Sequence, residues 1–407
     1  MARSGFLWLV AFLFLFSGVA AAEEEKSGLE QRVEELERQL AAQDDEPDEE
    51  VAGAGLGLVY EKGNIVATLQ IFGDVGWTYT DPEPANRSSN SFFLGSMSFF
   101  FSGRVGDHFT VVSETVLKAS PGAQADNVRW DQERLWGSWA FSDALYVKIG
   151  LEHNAISRWN RQYHHGRYLE ISVTRPYMAR FESSGFMPMH NAGVELGGQL
   201  PFGQGIFEWI FIVSNGRGRV PTDPQKVSDK NGNKAVDLNV SFLPAARVPG
   251  LRFGAHIRYE ELPNNPAGTP ARPQTMDELI VTTYIEYRHG PWYILAEGAC
   301  LTNEDNSNGV EYAHYAGYIQ IAYQIDDTWT PYARVDYFDG TPGDPYFAPF
   351  NRDLDRTEAV LGVRIDFVSN AAMKLDVGYG EAQFRDGAGV ITRDDFWRIS
   401  FQLAWVF

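Results

Sequence analysis

Leu251, Phe253, Ala255, Ile257 and Tyr259 alternate with Arg252, Gly254, His256, Arg258 and Glu260. A repeat of two puts apolar and polar side chains on opposite faces of a strand. The pattern returns in Leu145 to Glu152 and Ala359 to Phe367, and again where Trp397, Ile399, Phe401, Leu403, Trp405 and Phe407 oppose Arg398, Ser400 and Gln402. Sixteen such segments start near Ile65, Ser91, His108, Arg129, Ala144, Asn191, Gln204, Ala235, Gly250, Asp277, Pro291, Glu311, Thr328, Asp355, Ala371 and Arg393. Most run for about 10 to 14 residues, the length a tilted strand needs to cross a bilayer. Beyond the N-terminal segment there is no run of about 18 apolar residues, so a membrane can be crossed only with strands. An even strand number allows antiparallel closure. The expected fold class is all-β: a 16-stranded antiparallel transmembrane β-barrel with a short N-terminal periplasmic coiled-coil helix.

The connections alternate in length. Short ones include Gly106-Asp107, Ser142-Asp143, Phe202-Gly203, His289-Gly290 and Asp326-Asp327; long ones include Asp81 to Asn90, Asn154 to His190, Asn215 to Lys234, Glu261 to Met276 and Gly340 to Leu354. Short turns on the periplasmic side and long loops outside are the rule for such barrels. Both chain ends then fall on the periplasmic side. Composition agrees, with 14% aromatic residues, 39 Gly and a slightly negative mean hydropathy of −0.28. A soluble β-sandwich could share short strands, but not lipid-length strands, alternating loops and an aromatic final strand together. The single cysteine, Cys300, excludes an internal disulfide.

Three divisions are expected. Residues 1–22 read as a signal peptide, with Arg3 before the apolar run Phe6 to Phe16 and small residues Ala20 and Ala22 before the cleavage point. Residues 23–50 read as an acidic coiled-coil stalk and linker. Leu29, Val33, Leu36 and Leu40 make an a/d seam, Ser27 and Glu30 a capping box, and Asp44 to Glu50 a charged linker interrupted by Pro47. The seam spans fewer than two heptads and would be marginal alone. Residues 51–407 are the barrel, with an inward-folded third loop 154–190. The stalk holds 13 acids and 3 bases, about half of the formal net charge of −20. That sign excludes a nucleic-acid surface.

The third long connection carries Arg158, Arg161, Arg167, Arg175 and Arg180 against Glu170 and Glu182. A barrel this wide selects nothing unless an element narrows it. A loop folded inward could set these arginines as a pore constriction favouring anions. Equally, they could pair with lumen acids such as Glu152 and Asp366 and pin the loop. Strand parity adds the lumen charges Lys118, Lys148, Arg252, Arg258, Arg334 and Arg364, with Glu114, Glu286 and Asp336 as acidic counterparts. His164-His165 lacks a second ligand cluster in the sequence. Asp229-x-Asn231-Gly232-Asn233 departs from the calcium-loop pattern and reads as a loop tip. No metal site, cofactor or catalytic residue is expected, and no hydrolase or nucleotide-binding motif is present.

The stretch Tyr146-Val147-Lys148-Ile149-Gly150, then Ile171-Ser172-Val173-Thr174, Ala179-Arg180-Phe181-Glu182, Phe186-Met187-Pro188 and Asn191-Ala192-Gly193-Val194-Glu195-Leu196-Gly197-Gly198, resembles the phosphate-selective porin O/P family. The Lys-Ile-Gly strand, the Phe-x-Pro element and the Gly-Val-x-Leu-x-Gly strand carry the resemblance. It departs where Leu151-Glu152-His153-Asn154 replaces the family's Lys-Glu-Pro-Phe. The resemblance implies a trimeric 16-stranded outer-membrane porin whose third loop constricts the pore.

The expected function is therefore a water-filled channel for passive diffusion of small hydrophilic solutes, biased to phosphate- or carboxylate-like anions, and not an enzyme. Its expected partners are outer-membrane lipid and lipopolysaccharide, small anionic solutes and two further copies in a homotrimer. The alternative is a barrel sheath or anchor for a partner, such as a secreted lipoprotein or electron-transfer protein, with little free conductance.

Overall fold

A computed structural model describes residues 57–407 except 84–86, 121–126, 165, 181, 183, 269–270 and 386–387. The expected signal peptide, stalk and His165 lie outside the described residues. The strands are β1 (Leu58–Lys62), β2 (Ile65–Glu83), β3 (Arg87–Val105), β4 (Phe109–Ser120), β5 (Asn127–Ser142) and β6 (Leu145–His153). After the third long connection come β7 (His190–Phe202), β8 (Gly205–Ser214), β9 (Ala235–Leu243), β10 (Leu251–Leu262), β11 (Met276–His289) and β12 (Trp292–Asp305). The last are β13 (Glu311–Tyr323), β14 (Trp329–Asp339), β15 (Arg356–Val368), β16 (Ala371–Arg385) and β17 (Ile391–Val406).

Each strand from β2 to β17 pairs antiparallel with the next, and β17 returns to β2, pairing Phe72 to Asp81 with Val406 to Trp397. The sheet therefore closes as a 16-stranded transmembrane β-barrel. β1 was not expected. It pairs with Ile65 to Leu69 of β2 through the two-residue turn Gly63-Asn64, with Gly63 at φ +63°. Glycine relieves the steric cost of that backbone conformation. Because β17 covers Phe72 to Asp81 of the same edge, β1 and β17 lie end to end along β2. The expected loop Asp81 to Asn90 is also corrected. β2 and β3 are 19-residue strands that pair as far as Glu83 with Arg87, leaving a three-residue connection.

The burial pattern is that of a soluble protein turned inside out. On β10, Ile257 and Tyr259 are exposed, whereas His256, Arg258 and Glu260 are buried. Exposed Val281, Ile285, Ile319, Val335, Leu361 and Val377 form an apolar band. Exposed aromatics flank it. Phe141, Phe202, Trp292, Tyr323, Trp329 and Phe367 mark the short-turn end; Tyr259, Tyr315, Tyr337, Tyr379 and Trp397 mark the long-loop end. Two aromatic girdles around an apolar band fit the two interfaces of a bilayer.

Candidate functional site

Residues 154–189 leave β6 at His153 and return to β7 at His190, which are register partners. The segment packs against inward-facing side chains of the wall. Ile156, Trp159, Tyr177, Met178, Phe186 and Met187 form an apolar core with wall residues including Ile280, Leu295, Leu301, Tyr332 and Phe338. Tyr168 and Leu169 pack instead against a second cluster of Phe72, Phe100, Val112, Trp136 and Val406.

Ser157 caps a one-and-a-half-turn helix, α1 (Arg158–Tyr163), by accepting the Asn160 N–H with Oγ at 3.2 Å. Its amino end faces Glu297 on β12. That carboxylate accepts the N–H groups of Arg158 at 2.9 Å and Trp159 at 2.8 Å, the Ser157 hydroxyl at 3.1 Å and the Tyr318 hydroxyl at 2.6 Å. A carboxylate is favoured there because the exposed N–H groups carry partial positive charge.

Wall cations hold the carbonyls downstream. Arg334 donates to Ser172 Oγ at 3.0 Å and Thr174 O at 2.5 Å while pairing with Asp336 at 2.7 Å; Asp336 accepts the Tyr177 N–H at 2.8 Å. Arg364 donates to Tyr168 O and, at 3.0 Å, to Glu170 O. Lys374 donates to Arg167 O. Two further long connections join in: Arg217 donates to Phe186 O, and Tyr346 Oη donates to Gly218 O at 3.2 Å.

Four of the five loop arginines have a carboxylate partner, Arg167 and Arg175 sharing Glu170. Arg158 pairs with Glu286 at 2.7 Å, Arg161 with Glu195 at 2.5 Å, Arg167 with Glu170 at 2.8 Å and Arg175 with Glu170 at 3.5 Å. The partners differ from the anticipated ones: Glu152 pairs with Lys148 at 3.1 Å and Asp366 with Arg364 at 2.6 Å. The other lumen charges are matched too. Lys118 pairs with Asp131 and Glu133, Arg252 with Glu208, and Arg258 with Asp237 and Glu260.

Arg180 differs. Among the described residues no carboxylate lies within ion-pair distance of it. Its guanidinium rests 4.8 Å from the Tyr177 ring centre, and Arg356 lies 5.7 Å from the same ring. Arg356 and Arg398 both pair with Glu358, at 3.3 and 2.6 Å. Three guanidinium groups thus gather around one carboxylate. Burial first, and then the Arg356 charge, push the Arg180 group below its ordinary pKa. Arg356 and Arg398 were missed as site residues; strand parity marks them as inward but cannot reveal their neighbours.

At the neck of the loop, His164 meets His153 and His190, with one ring nitrogen of each within 4.8 Å of the others. The sequence reading left His164 without such a cluster. Glu182 lies beside them. Burial alone would raise its carboxyl, but the His190 ring, the Lys226 ammonium and backbone N–H groups outweigh that and hold it at about 2. At the Asp229 loop tip, Oδ1 accepts the N–H groups of Asn231 at 2.9 Å and Gly232 at 2.8 Å, a self-contained turn.

No protein-family model and no curated protein matches the chain. Solved structures do. An anion-selective porin from Comamonas acidovorans superposes with a TM-score of 0.58 at 10% identity, covering 84% of this chain and 100% of that one. OmpT of Vibrio cholerae gives 0.56 at 13%, covering 86% and 100%. The outer-membrane channel DcaP of Acinetobacter baumannii gives 0.53 at 12%, covering 86% and 100%. At these identities the likeness is one of fold, and the chain has the sixteen-stranded barrel fold of outer-membrane porins.

Proposed function

We propose that this protein is an outer-membrane channel for passive diffusion of small hydrophilic solutes, with a preference for anions set at Arg180. The observation that carries the preference is the imbalance at Arg180, Arg356 and Arg398: Glu358 pairs with Arg356 and Arg398, and among the described residues no carboxylate lies within ion-pair distance of Arg180. A solute carboxylate or phosphate can supply the missing negative charge and accept two N–H groups from one guanidinium. The remaining loop arginines serve to seat the loop, because each already has an ion-pair partner.

The chain works as a homotrimer in outer-membrane lipid and lipopolysaccharide, with the short turns and the acidic stalk in the periplasm. A trimer form is described for the OmpT barrel, and the short stalk seam needs copies already held together to become a stable coiled coil. The phosphate-selective resemblance narrows the solute class to phosphate- or carboxylate-like anions. The test is planar-bilayer reconstitution with a salt gradient. The expected result is stepwise conductance with a reversal potential on the anion side, moved toward cations by Arg180→Gln. Absence of conductance from folded protein would refute the channel, and an unmoved reversal potential would refute the role of Arg180.

A further inference from the structure

His153 ends β6, His190 begins β7, and the two face each other across the strand pair. His164 terminates α1 and drops between them. The ring centres are 4.3 Å apart for His153 and His164, 4.6 Å for His164 and His190, and 5.5 Å for His153 and His190. All three are at most 3% exposed. We propose that His153, His164 and His190, with Glu133 beside them, bind a divalent transition-metal ion of the zinc class that locks the neck of the lumen loop.

Orientation supports this. Nδ1 of His190 is engaged by Glu182 Oε1 at 2.7 Å, and Nδ1 of His164 by Asn160 Oδ1. Both rings therefore turn Nε2 toward the carboxylate of Glu133, whose Oε2 lies 2.5 Å from His190 Nε2 and 4.0 Å from His164 Nε2. An outer carboxylate or amide on one ring nitrogen, with the other nitrogen turned inward, is how metal-binding histidines are held.

Glu133 reaches the cluster through a break in the strand pattern. The pairing of β4 with β5 shifts so that Glu114 opposes Arg134 while Thr115 opposes Gln132. Glu133 is the extra residue of this bulge, and its side chain is fully buried. Bulges of this kind re-aim a side chain. Glu133 also receives Lys118 and, at 2.8 Å, Lys226 from the connection between β8 and β9. The two ammonium groups offset carboxylate charge, as do the ion's own charges; Glu114 and Glu182 supply further negative charge close by, Glu114 lying 4.0 Å from His153.

Imidazole and carboxylate donors suit zinc, and also nickel or copper, better than magnesium or calcium. A tetrahedral zinc site would bring the ring nitrogens to roughly 3.3 Å from one another, so small ring movements complete the site. The proton shared by His190 and Glu133 would leave as the ion enters.

The test uses full-length protein without a polyhistidine tag, stripped with chelator and titrated with Zn²⁺ by calorimetry. Co²⁺ serves as a spectroscopic probe of tetrahedral coordination. The expected outcome is about one ion per chain, with binding lost in His164→Ala and His190→Ala and retained in His108→Ala. Glu182→Gln should weaken Zn²⁺ binding roughly 10- to 100-fold, as outer-shell changes do. Heat-modifiable gel mobility confirms that each variant has folded. Zn²⁺ should also slow protease cleavage within residues 154–189 of the wild type and not of His164→Ala. Absence of Zn²⁺ binding by folded wild type, or binding of equal strength by folded His164→Ala, would overturn the proposal, whatever conductance is measured.

Discussion

The carboxylate of Glu297 accepts the backbone N–H of Trp159 at 2.8 Å across the lumen of the barrel. This one wall residue also takes the neighbouring N–H and two hydroxyls, so it fixes where the loop helix begins. Glu297→Ala should strand several buried donors, each costing about 1–3 kcal/mol. The barrel should remain closed while the loop loosens, measured as faster proteolysis within residues 154–189 and noisier single-channel current. Unchanged cleavage would show that apolar packing alone seats the loop.

Arg158 and Arg180 should behave differently although both are loop arginines. Arg158→Gln leaves Glu286 buried without its ion pair, at a cost of about 3–5 kcal/mol. It should lower the denaturant midpoint. Arg180→Gln should leave the midpoint nearly unchanged and alter ion selectivity. Equal midpoints for the two variants would count against the division between seating and selecting arginines.

Gly150 sits on β6 at φ +140°, and an added Cβ would collide with the Leu135 carbonyl oxygen and the Trp136 backbone. Gly150→Val should therefore disturb the pairing of β5 with β6 and reduce the folded, heat-modifiable band. Gly290→Ala is the useful contrast. Gly290 also has positive φ, at +56°, but nothing stands within 4 Å of its added Cβ. Its cost should be the smaller one of backbone strain, on the order of 1 kcal/mol.

On the outer face, Leu361 is 68% exposed within the apolar band, while Phe367 lies in the short-turn girdle. Leu361→Arg should destabilise the barrel in lipid vesicles by about 2–4 kcal/mol, and Phe367→Arg by about 0–1 kcal/mol from charge placement. Urea titration in vesicles measures both. Similar losses would argue against the assigned depth of the band.

The barrel was readable because alternation is local: each of the sixteen wall segments carries its own inside and outside. Parity puts Arg334 and Arg364 on the inward face but is silent on the loop groups they bond, which lie some 160 to 196 residues away in sequence. The same limit hid the pairing of Arg158 with Glu286. Glu133 escaped for a different reason. A bulge places it and Arg134 consecutively toward the lumen, which strict alternation forbids. β1 was too short to show a period, and its register depends on an edge that β17 leaves uncovered.

The end-to-end placement of β1 and β17 along β2 has a consequence for assembly. Until the barrel closes, β2 lacks a partner that lies more than 300 residues away in sequence, and an open edge can recruit a wrong strand. The β1 hairpin is a local pairing that covers the Ile65 to Leu69 part of that edge. The stretch left for the strand ending at Val406 is shortened by that much, so the last seam of the barrel has less bare edge to protect.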